Sequence, residues 1–289
     1  MKLFLETDKC PNVAIFMSGT GTNAEKVLEN RDTEAWQPAV IVTDAPEASR
    51  AAEIAANFSL PLVALDIRKF YREHGETRIS LTTARGREIR ELWTTELRRL
   101  LSEYHIDFAI LAGFVPLTNI TADFPCLNVH PGDLTVEVNG SRLLVGLHAI
   151  PVEIAILQGH DALRSSVIIA QAYSGIGGEM DSGPILGISS AVPLDLQGHE
   201  LNELTSVAES RPTTRPIGGY KDILAEIADH NLDLLKRSGD WIVLPGVVND
   251  FAAGNFATAD DGSLKFCVNG IWQKITTVEY GEDKYLLKH

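Results

Sequence analysis

Short runs of β-branched and other apolar residues alternate with stretches of helical periodicity through the first 130 residues. Strands are predicted at Val13-Ala14-Ile15-Phe16, Ala39-Val40-Ile41-Val42-Thr43, Leu62-Val63-Ala64-Leu65, Phe108-Ala109-Ile110-Leu111-Ala112 and Cys126-Leu127-Asn128-Val129. Helices are predicted between them, from Ala24 to Asn30, Glu47 to Asn57 and about Thr83 to Tyr104. The last carries Ile89, Leu92, Trp93, Leu97, Leu100 and Leu101 on its expected buried face. Strands separated by helices, several of them apolar throughout, predict an α/β fold. It is Rossmann-like, a mostly parallel sheet with helices on both faces. Ligands bind such sheets at the carboxyl ends of the strands. Gly19, Gly113 and Asn128 fall at three such ends, so three separate segments are expected to meet at one crevice.

Further along, Ile150 to Leu157 predicts an apolar helix and Val167-Ile168-Ile169-Ala170 a strand. A glycine-rich loop from Tyr173 to Gly178 leads to Asp181, and a helix from Tyr220 to Lys236 follows the Arg-Pro-rich turn at 211–216. Beyond Gly239 strands are predicted at Trp241-Ile242-Val243-Leu244, Ser263 to Val268 and Ile271 to Glu279, with Asn269-Gly270 as a hairpin signal. The expected division is an α/β domain over 1–237 and a small β-rich C-terminal appendage over 238–289.

A length of 289 residues suits one large or two modest domains. The formal charge of −14 argues against a dedicated nucleic-acid binder or a polybasic membrane anchor. A small anionic substrate stays compatible, because backbone dipoles and one or two basic side chains suffice to bind it. Cys10, Cys126 and Cys267 are far apart and odd in number, so neither a zinc spacing nor a disulfide framework is expected. The run Met1-Lys2-Leu3-Phe4-Leu5-Glu6 is too short for a signal peptide, and no segment approaches the ~20 apolar residues of a membrane span. The expectation is a cytoplasmic protein with small-molecule partners, without nucleic acid, membrane or metal. A homodimer is left open.

Candidate chemistry concentrates in two motifs. Asn128-Val129-His130-Pro131 delivers an amide and an imidazole from alternate residues of a strand, so both face one way. Asp181-Ser182-Gly183-Pro184 offers a carboxylate just before a Gly-Pro turn. A donor for a developing oxyanion, a proton carrier and an acid to orient it are what acyl transfer needs. Purely structural roles compete: a satisfied strand end for Asn128, loop structure for His130 and turn chemistry for Asp181. A third motif, Ser18-Gly19-Thr20-Gly21-Thr22-Asn23, joins the first strand to the first helix. Its glycines allow close approach of a ligand to free helix N–H groups, a good phosphate cradle. The Lys-Ser/Thr ending of a nucleotide-triphosphate loop is absent. Two other readings stand beside the cradle. One is a dinucleotide fingerprint lacking its third glycine, with Asp44 gripping a ribose. The other is a plain turn capped by Thr22 or Asn23.

Together with Leu111-Ala112-Gly113-Phe114, these motifs occur in the order and approximate spacing of the folate-dependent formyltransferases, which the chain resembles over about residues 12–200. The resemblance is greatest to the phosphoribosylglycinamide formyltransferases of purine biosynthesis. It implies the formyltransferase fold and formyl transfer from 10-formyltetrahydrofolate, a co-substrate, to the amine of a phosphorylated acceptor such as glycinamide ribonucleotide. It also implies that Ser18, Gly19, Thr20, Gly21, Thr22 and Asn23 hold the phosphate and that Asn128, His130 and Asp181 are catalytic. Leu111, Gly113, Phe114, Val115, Pro116, Leu117 and, in the loop before Asp181, Met180 would line the pterin pocket. Arg85 sits where the family often has a basic residue near the folate tail, an exposed helix arginine being the alternative.

Departures from that pattern keep further readings in play. Gly132-Asp133-Leu134-Thr135 replaces the family's Ser-Leu-Leu-Pro, and the loop to Gly146-Leu147-His148 is longer, with Glu137 and Asn139 in it. Ile168 stands where the purine enzymes have a second histidine, and Val115-Pro116 replaces Met-Arg. The C-terminal appendage is foreign to the minimal purine enzyme. The alternatives are transfer to another amine such as an amino-sugar nucleotide, formyltetrahydrofolate hydrolysis, a non-catalytic ligand-binding homologue and a dinucleotide-dependent enzyme.

Overall fold

The computed structural model describes residues 1–6, 9–175, 180–216, 218–282 and 284–289. Its centre is the strand Asn12–Met17, whose alternate residues serve two cores. Val13, Ile15 and Met17 enter one cluster, Ala14 and Phe16 the other, and all five have no exposed surface. Successive side chains of a strand point to opposite faces, so an unbroken apolar run requires cover on both. Gln37–Thr43 and then Leu62–Ala64 lie parallel on one side of it, Phe108–Leu111 and then Cys126–His130 on the other. Ser166–Ile169 continues the sheet antiparallel, followed by Ile185–Ser189, Thr277–Tyr280 and, at the edge, Tyr285–Lys288, nine strands among the described residues. The expected Rossmann-like, mostly parallel architecture is what the chain adopts.

One face is covered by the helix Ala84–Leu101, which buries Ile89, Trp93, Leu97 and Leu101. Its start is fixed by Thr83, whose hydroxyl accepts the Gly86 N–H at 3.0 Å. Leu92, expected on the buried face, is 43% exposed, because it lies about 100° round the axis from Trp93. The opposite face is covered by Thr22–Glu29 and Trp241–Ala252, through Ala24, Val27, Val243, Leu244, Val247, Val248 and Phe251. A third cluster joins the helices Ile150–Leu157, Leu201–Glu209 and Ile223–Leu235. Among the described residues no helix is long and apolar enough to cross a membrane.

The region past 238 departs from expectation. Trp241-Ile242-Val243-Leu244 is the start of a helix, not a strand. Four consecutive apolar residues satisfy both periodicities; the helix shows only when Val247, Val248 and Phe251 extend the same face. The predicted strand Ile271 to Glu279 is two strands: Ile271–Lys274 in a small antiparallel sheet and Thr277–Tyr280 in the large one. Phe256–Thr258 and Leu264–Val268 complete the small sheet with an unpredicted strand, Lys2–Leu3, from the other end of the chain. The Asn269-Gly270 hairpin is present, both residues having positive φ (50° and 80°), as a type I′ turn requires. Of the expected loop from Tyr173 to Gly178, residues 176–178 lie outside the described residues.

Phe251 is 1% exposed and meets Phe108 edge-on, ring centroids 5.1 Å apart. Phe251→Ala is therefore expected to remove about 3–5 kcal/mol of stability. Urea unfolding should show a lower midpoint at unchanged slope; a loss below about 1 kcal/mol would mean that the C-terminal helix is not part of the central core.

Candidate active site

Ser18 ends the central strand and ties three strand ends together. Its N–H donates to the Gly113 carbonyl at 3.3 Å. Its hydroxyl donates to Asp44 Oδ1 at 2.5 Å and accepts the Val115 N–H at 2.9 Å. Burial raises the Asp44 carboxyl above its usual range, partly offset by that Ser18 bond. Gly21 caps the following helix at φ 69°, and a Cβ there would fall 2.4 Å from Ile54 Cδ1 and 2.5 Å from Met17 Cε. Its role is close packing as much as freedom of rotation. Neither Thr22 nor Asn23 caps the helix, whose first turn has no side-chain cap. Arg50, shared between Glu25 and Glu53, donates to the Thr20 carbonyl at 3.1 Å. Of Ser18, Gly19, Thr20, Gly21, Thr22 and Asn23, it is Asn23 that lines the adjoining cleft.

The predicted trio meets in that cleft. Cys126 packs in one core while Leu127 and Val129 pack in the other, so Asn128 and His130 alternate onto the Cys126 side. Asp181 arrives on the 3₁₀ turn Met180–Ser182. Gly183 lies so close to Ser166–Ile169 that a Cβ would come within 1.8 Å of the Ile169 carbonyl oxygen. In that strand Ile168 pairs with Asn128 and Ser166 with His130. The turn is therefore docked beside both residues. Asn128 Nδ2 donates to Asp181 Oδ1 at 3.4 Å, and His130 Nδ1 is 3.9 Å from Asp181 Oδ2. His130, 3% exposed, places Nε2 2.7 Å from the Leu144 carbonyl. A carbonyl only accepts, so Nε2 carries a proton and Nδ1 is the nitrogen free to exchange one beside Asp181.

The cleft has a volume of about 950 Å³. Leu111, Gly113, Phe114, Val115, Pro116, Leu117 and Met180 all line it. Phe114 is held edge-on to Phe16 at 5.2 Å and stacked on Trp93 at 6.3 Å. Arg85 does not line it: its guanidinium pairs with Glu88 at 2.8 Å and donates to the His74 carbonyl at 3.1 Å. Those contacts are the ones expected of an exposed helix arginine, the alternative reading of this position.

Lys236 and Asp240 line the opposite wall and were not foreseen. They bound a π turn, Lys236–Asp240, between Ile223–Leu235 and Trp241–Ala252. Such wide turns recur at functional sites. Gly239, which reads as a helix stop, is there for contact: a Cβ would meet Ser165 Oγ at 2.7 Å. Asp240 accepts from Ser165 Oγ at 2.5 Å and from Asn23 Nδ2 at 2.9 Å, and burial raises its carboxyl above the ordinary range. Among the described residues Asn23 Oδ1 is buried with no hydrogen-bond partner. A second unforeseen wall is the hairpin of Glu137–Val138 and Ser141–Arg142. Asn139 and Gly140 turn it with φ of 53° and 74°, again type I′. An Asn-Gly pair was the available signal. Arg142 donates to the carbonyls of Asp181 and Gly183, the latter at 2.7 Å.

No family model and no curated protein matches the sequence. Solved structures do. The chain is 20% identical to glycinamide ribonucleotide transformylase 1 from Symbiobacterium toebii over 91% of this chain and 96% of that one, TM-score 0.56. It is 19% identical to phosphoribosylglycinamide formyltransferase from Anaplasma phagocytophilum over 94% and 99%, TM-score 0.54. Against the phosphoribosylglycinamide formyltransferase from Coxiella burnetii it is 15% identical over 94% and 100%, TM-score 0.58. The fold is the formyltransferase fold. Its structural neighbours are phosphoribosylglycinamide formyltransferases. An alignment over 91% of the chain necessarily runs past residue 238. It takes in part of the segment expected to be foreign to such enzymes.

Because burial raises the Asp240 pKa, the acid contributes most to stability while protonated and loses that contribution as pH rises through its folded pKa. Asp240→Asn, with Ser165 turning to accept from the new amide, should melt higher than wild type at pH 8. The gap should close as pH falls toward 4. Calorimetry showing the reverse slope would contradict this account.

Proposed function

We propose that the protein transfers a formyl group from 10-formyltetrahydrofolate to the amine of a phosphorylated small molecule, with glycinamide ribonucleotide as the acceptor. The observation that carries this reading is the meeting of Asn128, His130 and Asp181 at one strand end of a formyltransferase fold. The donor supplies an activated one-carbon unit; everything else falls to the chain. The Asn128 bond to Asp181, at 3.4 Å, is longer than the usual 2.7–3.2 Å, so this amide can turn to a stronger acceptor. A charged His130 offers a second donor through Nδ1. Each such donor to a developing oxyanion contributes ~3 kcal/mol in the transition state. Asp181 can take the amine's proton through a water.

The walls support the same assignment. Phe114, Leu117 and Met180 offer an apolar face for a flat heteroaromatic ring. On the other side Lys236 supplies a cation, and Asn23 Oδ1 an acceptor in want of a donor. Phosphate binding then rests on Lys236 and the free N–H groups of Thr22–Glu29 rather than on Ser18, whose hydroxyl is already engaged. A cytoplasmic setting goes with this reading and with the scattered cysteines. The hairpin wall, where the chain departs most from the purine enzymes, favours as a second reading transfer to another amine, such as an amino-sugar nucleotide.

Mixing the protein with 10-formyltetrahydrofolate and glycinamide ribonucleotide should release tetrahydrofolate. Normal folate binding without turnover would reject that acceptor, and formate release without any amine would identify a hydrolase. Asn128→Ala and His130→Ala should each lower kcat by more than about 10²-fold with KM little changed. Full activity in either variant would remove the trio from the mechanism.

A further inference from the structure

We infer that Arg142 is a positioning residue: its guanidinium holds the Asp181 turn from the hairpin, and so sets the carboxylate against His130. This rests on the catalytic reading of the trio. Two N–H groups of one planar fork reach the carbonyls of Asp181 and Gly183, two residues apart on a tight turn. A rigid fork on two acceptors fixes the turn's orientation as well as its distance, which a single point donor cannot do. The hold is on the backbone. Both Asp181 carboxylate oxygens stay available, one to Asn128 at 3.4 Å and one facing His130 at 3.9 Å.

The hairpin can bear this load. Its type I′ turn has matched positive φ at Asn139 and Gly140, and Glu137 pairs directly across from Arg142. Two residues beyond Arg142, the Leu144 carbonyl accepts from His130 Nε2 at 2.7 Å. One short stretch therefore orients the imidazole from one side and the acid's turn from the other. The segment that lengthens the loop after His130-Pro131 thus takes over placement of the acid–base pair.

The test compares wild type, Arg142→Ala and Arg142→Lys by steady-state kinetics and by NMR titration of the His130 ring. Arg142→Ala should lose about 10²-fold in kcat with KM for both substrates held, since a shift of about 1 Å in a catalytic group has that effect. Arg142→Lys should fall between, and added guanidinium ion should restore part of the loss in Arg142→Ala. The titratable and charged groups that line the cleft with His130 are Glu137, Arg142, His148, Asp181, Lys236 and Asp240. Asp181→Asn, titrated alongside, reports how the His130 midpoint moves when the carboxylate is lost. A change of the same sign in Arg142→Ala supports the inference; a change of opposite sign or none overturns it, as does an unchanged kcat. The titration needs no turnover, so it decides the role of Arg142 even if no formyl acceptor is found. If Arg142→Ala melts early, Arg142→Lys carries the same readouts.

Discussion

Gly183 lies against the Ile169 carbonyl at a separation no side chain would tolerate, and the cleft takes its form from that contact. Ser166–Ile169 is hydrogen-bonded to Cys126–His130, so whatever docks on the first strand is carried to the residues of the second. The glycine brings the turn in, and the proline after it accepts the Ile169 N–H through its carbonyl at 3.2 Å. Asp181 then stands two residues before this anchor, beside Asn128 and His130. The acid of the trio comes from sequence some fifty positions away, yet one backbone approach brings its turn to the strand. The other strand ends are fixed independently, by the Ser18 hydroxyl between Asp44 and Val115.

The trio was legible because strands alternate and because a strand buried on both faces can present polar side chains only near its ends. Asn128 and His130 follow that rule directly, as does the convergence of the Gly19, Gly113 and Asn128 regions. What Ser18 does was not legible. Its partners, Asp44 and Val115, are distant in sequence, and a hydroxyl in a glycine loop looks free until the fold closes around it. Lys236 and Asp240 escaped for another reason. Gly239 has the look of a helix stop, but here an absent side chain serves contact with Ser165 and the helix runs on. Arg85 was assigned by resemblance alone, and its bonds to Glu88 and the His74 carbonyl are local contacts that no motif announces. The Asn139-Gly140 hairpin was readable in principle, by the same signal that revealed Asn269-Gly270. Its two-residue strands are too short to show any alternation of their own.

Electrostatics inside the cleft do not follow the net charge of −14. Arg142 and Lys236 face Glu137, Asp181 and Asp240 in one space, close to balance. Asp240 is answered by hydroxyl and amide donors rather than by a tight ion pair, which leaves its carboxyl inclined to hold a proton. An acidic protein can thus offer an anion a neutral berth, provided the acids around it are buried, bonded or turned toward another task.

The small antiparallel sheet unites segments far apart in sequence, since Lys2–Leu3 pairs with Phe256–Thr258. The helix Trp241–Ala252 likewise roofs strands made well before it. A nascent chain emerging from the ribosome would therefore hold Phe108 without its edge-on partner Phe251 until the helix Trp241–Ala252 had been made. Contacts so remote along the polypeptide favour slow, late closure. During that interval the half-built sheet is a natural client for a chaperone that shields apolar surface.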